Sequence, residues 1–125
     1  MFKRKTQVLV AVVLMGIIAG AVGAMASEYR FMGSVDGWLS GSGNYDIYEE
    51  TLRGGQHYKI TLSGPWNADF DILVFDENEN LVAKSVGATS SETVTITPRW
   101  TGPFFIVVMS YEWHGSYTVR LYRYV

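Results

Sequence analysis

The chain has 125 residues, enough for one domain. Ten basic against twelve acidic side chains leave no basic footprint of the kind a nucleic-acid binder needs. Cysteine is absent, which excludes disulfides, thiolate chemistry and a lipid-modified cysteine at a mature N-terminus.

The first 26 residues read as a targeting segment. Lys3, Arg4 and Lys5 are a basic start, Val8 to Gly23 carries no charge, and Ala24-Met25-Ala26 offers the small residues that a signal peptidase reads. The expectation is a helical signal segment over 1–26, cleaved after Ala26. The alternative is an uncleaved membrane anchor, because Val8 to Ala26 is close to the roughly 20 apolar residues that a spanning helix needs. The leader holds three of the ten basic residues and none of the twelve acids, so the body has a formal charge of −5. With no disulfide, that body must hold itself by packing.

Residues 27–44 carry Gly33, Gly37, Gly41 and Gly43 among Ser and Asn, and read as an irregular segment. Phe31, Val35, Trp38 and Leu39 are apolar islands in it, expected to cover an edge or an end of the core. Residues 45–125 read as the β-domain. Tyr48 and Leu52 are inward candidates of a first strand, and Arg53-Gly54-Gly55 marks a tight turn. Gln56 to Ser63 alternates, with Tyr58, Ile60 and Leu62 on one face and His57, Lys59 and Thr61 on the other. Gly64-Pro65-Trp66-Asn67 is a loop. Asp69 to Phe75 follows, with Phe70, Ile72 and Val74 on one face. Asp76-Glu77-Asn78-Glu79-Asn80 is rich in turn formers, and Leu81 to Val86 returns. Glu92 to Thr97 places Val94 and Ile96 inward. Pro98 to Pro103 is a longer turn. Phe104 to Met109 is a continuous apolar run, as in a central strand. Tyr111 to Gly115 is an aromatic loop, and Ser116 to Tyr124 alternates again. Strands at this spacing predict an all-β, jelly-roll-like antiparallel sandwich of about seven to eight strands.

The ordered set of motifs resembles a known family. It runs through Gly54-Gly55-Gln56-x-Tyr58-x-Ile60-x-Leu62, then Asp69-Phe70-Asp71-Ile72-x-Val74-Phe75-Asp76, Leu81-Val82-Ala83-x-Ser85, Glu92-x-Val94-x-Ile96, Thr101-Gly102-x-x-x-Ile106-x-Val108 and Gly115-Ser116-Tyr117-x-Val119-x-Leu121. Together these are similar to the bacterial pre-peptidase C-terminal domain, over about residues 36–124. The resemblance implies a jelly-roll-like sandwich that is secreted or surface-exposed and is not itself catalytic. Related domains bind collagen, polysaccharide or calcium. Here the domain would stand alone behind a signal peptide.

The residues themselves offer two chemistries. Asp69 and Asp71 point to one side of their strand, and a hard cation such as calcium takes several such oxygens. A site would need further donors, for which Asp36, Asp46 and Asn67 are candidates. The bland alternative is hydrogen bonding to nearby loop amides. Asp76 to Asn80 opens like an EF-hand loop, but Leu81 stands at its glycine position and Gly87 at its bidentate glutamate, so it reads as a hairpin turn. Trp66, Trp100 and Trp113 all fall in loops, where they could stack on sugar rings, anchor a protein partner or fold back to cap the sandwich. His57 and His114 are the only histidines, and no hydrolase, zincin or phosphate-loop motif accompanies them.

The expectation is therefore a secreted, periplasmic or cell-surface module without catalytic activity. Its partner would be an extracellular polysaccharide or protein contacted through Trp66, Trp100 and Trp113. The alternative is a structural protein that self-associates or packs on a separate exported enzyme through Leu73, Phe75, Phe105, Val107 and Met109.

Overall fold

A computed structural model describes residues 6–8 and 28–125. The leader read over 1–26 lies outside the described residues, apart from Thr6–Val8, which form a short strand (β1) in place of helix. Eight antiparallel strands follow: β2 (Tyr29–Leu39), β3 (Tyr45–Leu52), β4 (Tyr58–Ser63), β5 (Asp69–Phe75), β6 (Leu81–Ser85), β7 (Ser91–Ile96), β8 (Gly102–Glu112) and β9 (Gly115–Tyr124). One sheet has the order β1-β3-β8-β5-β6 and the other β2-β9-β4-β7. β1 is parallel to β3.

The alternation read from sequence sets the core. Phe70, Ile72 and Val74 of β5 and Ile106 and Val108 of β8 are fully buried. They face Ile60 and Leu62 of β4 and Val119 and Leu121 of β9, which are buried as completely or nearly so. Alternate residues turn outward, as the pleat requires.

β2 corrects the sequence reading, which left residues 27–44 irregular. It pairs with β9 from Tyr29↔Tyr124 to Leu39↔Gly115. Its glycines serve the sheet. Gly33 follows a register shift between Phe31 and Gly33. Gly37 lies against the Tyr117 ring, where a Cβ would come within 2.3 Å of the phenol oxygen. Leu39 is buried as an inward residue, whereas Trp38 is 58% exposed.

A polar chain crosses the core at this point. The Tyr117 hydroxyl donates to Asp46 Oδ2 at 2.6 Å. That spends its one proton, so the Tyr48 hydroxyl is the donor in the Tyr48–Tyr117 bond. Burial, reinforced by Asp46, pushes the Tyr117 phenol well above its ordinary range. Tyr117→Phe leaves the Asp46 carboxylate and the Tyr48 hydroxyl without their partner, and is expected to lower stability by about 1–3 kcal/mol. Urea unfolding checks this through a lower midpoint at unchanged slope.

The turns alternate between the two ends of the sandwich. The β2–β3, β4–β5, β6–β7 and β8–β9 connections lie at one end. The β3–β4, β5–β6 and β7–β8 connections lie at the other, together with Glu28 and Val125, whose backbones bond to each other.

Candidate functional site: an aromatic end beside three carboxylates

Trp66 and Trp113 both belong to the first end. Trp66 sits in the β4–β5 loop and is 93% exposed. Its neighbour Pro65 packs on Gly115, where a Cβ would meet the proline ring at 2.5 Å. Gly115 at φ +146° thus lets the β4–β5 loop lie on the β8–β9 turn.

That turn has two residues, Trp113 and His114. Trp113 holds φ at 75°, a left-handed conformation that is costly for a bulky side chain. The Ser110 hydroxyl donates to its carbonyl at 2.7 Å and helps to hold the turn. The strain presents an indole to solvent, 53% exposed. The His114 ring stacks on Trp113 at 4.7 Å and lies 5.8 Å from the Trp38 ring. Trp113, His114 and Trp38 thus form a continuous aromatic row. Beside it opens a cleft of about 500 Å³ lined by Asp36, Ser63, Gly64, Pro65, Ser116, Tyr117 and Thr118. Sequence reasoning did not assign Trp38 or His114 to this site. The signal that places Trp38 is its pairing with Ser116, one residue before the inward Tyr117.

Trp100 does not join them. It belongs to the β7–β8 turn at the far end, with its ring tilted over Phe104 at 6.3 Å. Its Nε1 donates a long bond to Glu77 Oε1 at 3.4 Å, and its backbone is closely approached by Gly54. Trp100 caps its own end of the sandwich. The three tryptophans expected to share one contact surface are therefore split two and one.

The second element lies at the start of β5. β6 ends at Ser85, opposite Ile72, so β5 runs on without it through Asp71 and Asp69. The chain from Val86 to Ser90 crosses there to the other sheet. It is pinned by Ser90 Oγ, which donates to Ala68 O at 2.8 Å and accepts from Phe70 N at 3.0 Å. This crossing brings Glu92 of β7 to Asp69 and Asp71, with one carboxylate oxygen from each within 4.8 Å of the others. Glu92 Oε1 accepts from Ser85 Oγ and Gly87 N. Glu92 Oε2, Asp69 Oδ1 and Asp71 Oδ1 are buried with no hydrogen-bond donor among the described residues. Burial, with Asp69 close by, pushes the Asp71 carboxyl up to about 6.

Three convergent carboxylates, each with one buried oxygen that has no donor among the described residues, fit a hard divalent cation, which takes all-oxygen ligands. Of the donors suggested by sequence, Asp36 and Asp46 are committed elsewhere. Asp36 accepts from Thr118 Oγ1 at 2.7 Å and Asp46 from Tyr117. Glu92 is the third carboxylate of the cluster, which the sequence reading did not include. Its signal was the period of two, since it shares the inward face of Val94 and Ile96. Asp76 takes no part. Its carboxylate accepts from the backbone amides of Asn78 and Asn80, at 2.8 and 2.9 Å, and closes the β5–β6 hairpin. Those bonds hold its carboxyl below the usual range.

The histidines are not arranged as a catalytic pair. His57 spends both ring nitrogens, on the Tyr29 hydroxyl at 2.9 Å and Thr97 Oγ1 at 2.7 Å. His114 lies in the aromatic row at the other end.

No family model matches this chain, and no curated protein matches it. Solved structures do. The pre-peptidase C-terminal domain of collagenase from Bacillus anthracis aligns at a TM-score of 0.61 and 15% identity, over 70% of this chain and 86% of that one. PliG from Aeromonas hydrophila, a periplasmic lysozyme inhibitor of g-type lysozyme, aligns at 0.59 and 12%, over 94% and 98% of the two chains. PliG from Salmonella Typhimurium aligns at 0.51 and 16%, over 73% and 89%. At these identities the likeness is one of fold. The resemblance to the pre-peptidase C-terminal domain holds at that level.

Proposed function

We propose that this protein is a non-catalytic binding module that works outside the cytoplasm. Its ligand, an extracellular polysaccharide or protein, would lie on the aromatic row Trp113–His114–Trp38 and on Trp66. The observation that carries this reading is Trp113, a bulky residue held at positive φ with its indole exposed. Such strain gains the core nothing and puts a large flat contact into solvent beside a cleft. The fold neighbours support the class of function, because one is an appended domain of a collagenase and two are inhibitors of an enzyme. The carboxylates of Asp69, Asp71 and Glu92 would hold a calcium-like cation that ties β5 to β7 and fixes the β4–β5 loop next to it.

The test is capture of a ligand from panels of extracellular glycans and of exported proteins, followed by substitution. Trp66→Ala with Trp113→Ala is expected to weaken the captured interaction at least tenfold, the loss of roughly 1.4 kcal/mol or more that aromatic anchors typically carry. Trp100→Ala is expected to leave it unchanged. Equal losses from both variants would reject the loop end as the contact.

A second reading has its own observation. The outer face of the five-stranded sheet carries Leu73, Phe75, Val107 and Met109, each only partly buried, beside exposed Leu81 and Tyr45. A face of this kind suits self-association or packing on an exported enzyme. A monomeric mass in solution at micromolar concentration would count against the first of these.

A further inference from the structure

The outer face of β2-β9-β4-β7 is built differently from the loop end and from the other sheet. Cross-strand pairing sets out its rows. Tyr29 and Tyr124 share one row with His57 beside them, and Phe31, Tyr122 and Lys59 share the next. Arg120 and Thr61 share the third. The rings touch edge to face. Tyr29 lies 5.1 Å from Tyr124, and Phe31 lies 5.8 Å from Tyr122. The Lys59 ammonium sits over two of them, 4.5 Å from the Tyr29 centroid and 4.8 Å from that of Tyr122. The edge strand adds a column of exposed hydroxyls at Thr93 and Thr95.

The charge of these three rows runs against that of the body. Their outward residues include Lys59 and Arg120 and no acid. Among the described residues the only ion pair is Arg30 with Glu28, so neither Lys59 nor Arg120 has a carboxylate partner. The two cations are diagonal neighbours on adjacent strands, roughly 7–8 Å apart at the backbone. A sheet that needed only covering would not gather rings and unpaired cations on its solvent side.

We infer that this face binds an acidic polysaccharide, with the exposed Tyr124 ring stacking on a sugar face and Lys59 and Arg120 meeting its carboxylates. The threonine column supplies hydroxyls to the sugar hydroxyls. Two cations set on a diagonal beside the rings match a polymer that carries charge on spaced sugars. A nucleic acid, with a phosphate at every residue, needs a denser basic surface than a body of this charge presents. The inference stands apart from the loop end and does not need it.

Affinity electrophoresis in gels containing polygalacturonate or its methyl-esterified form provides the test. Retardation is expected in the acidic polymer alone, and it is expected to fall as salt rises toward about 0.5 M, because the contacting charges are exposed. Lys59→Gln with Arg120→Gln is expected to reduce retardation at least about tenfold, with the unfolding midpoint retained as the control for folding. Trp66→Ala with Trp113→Ala is expected to leave retardation in place. Absence of retardation, equal retardation in both polymers, or full retardation of the charge variant would overturn the inference. Loss of retardation in the tryptophan variant would overturn it too, by moving the sugar to the loop end.

Discussion

Calcium added to chelated protein is expected to raise the unfolding midpoint, and Asp71→Asn is expected to abolish the rise. The cause is the set of three buried oxygens, Asp69 Oδ1, Asp71 Oδ1 and Glu92 Oε2, that find no donor among the described residues. A cation bound only to the native state stabilises by mass action, about 2.7 kcal/mol when it is a hundredfold above its dissociation constant. In a domain of this size that corresponds to roughly 10 °C or more. The proton competes for the same place. Asp71 has a folded pKa of about 6, above its ordinary 3.8, so the folded protein binds more proton than the unfolded chain between those values. Stability of the metal-free protein therefore falls as pH rises through that window, and the calcium response grows above it. Asp71→Asn removes both effects and makes the metal-free protein more stable at pH 8. A midpoint that ignores calcium at pH 8 would reduce the three carboxylates to a strained polar contact.

The second large effect is expected from Glu50→Gln. Glu50 lies between the inward Tyr48 and Leu52 of β3 and pairs with buried Phe104. Its Oε2 is buried with no hydrogen-bond donor among the described residues. Burial pushes its carboxyl from 4.5 up to about 7, against a smaller pull from the Thr51 backbone amide. The raised value means that ionised Glu50 disfavours the fold. Its cost is absent below pH 4.5, grows as pH rises through 7 and is complete above it. Glutamine keeps the shape without the charge. Stability at pH 8 is expected to rise by on the order of 2 kcal/mol, allowing for the water that reaches the rest of the side chain, with little change at pH 4. Urea titrations of both proteins at the two pH values would show it. An equal difference at both would mean that charge is not the cause.

Glu50 and Asp71 act with the same sign, so metal-free protein is expected to be more stable near pH 5 than near pH 8. Asp76 acts oppositely and at lower pH. Its depressed carboxyl favours the fold above its ordinary pKa, and that support disappears as pH falls through the folded value.

The strands with clean alternation were legible because one face of each is buried. Tyr58-x-Ile60-x-Leu62 and Phe70-x-Ile72-x-Val74 are such cases. β2 was hidden because its glycines look like loop punctuation. In the structure Gly37 is there to clear the Tyr117 ring, a contact 80 residues away in sequence that no local pattern reports. Glu92 was hidden because an acid at a strand start reads as solvated, although the inward period of Val94 and Ile96 already included it. The separation of Trp100 from Trp66 and Trp113 was within reach. In an antiparallel sandwich successive turns alternate ends, so counting strands puts the β4–β5 and β8–β9 turns together and the β7–β8 turn opposite. What counting could not supply is the positive φ of Trp113 or the stacking of His114 on its indole. Those depend on a turn geometry that only the folded neighbours fix.

The most direct measurement of the central claim is oxidative footprinting of the protein with and without its captured ligand, read tryptophan by tryptophan. The account predicts protection of Trp38, Trp66 and Trp113 and unchanged oxidation of Trp100. Protection of Trp100 with the other three left reactive would contradict it and move the binding surface to the opposite end of the sandwich.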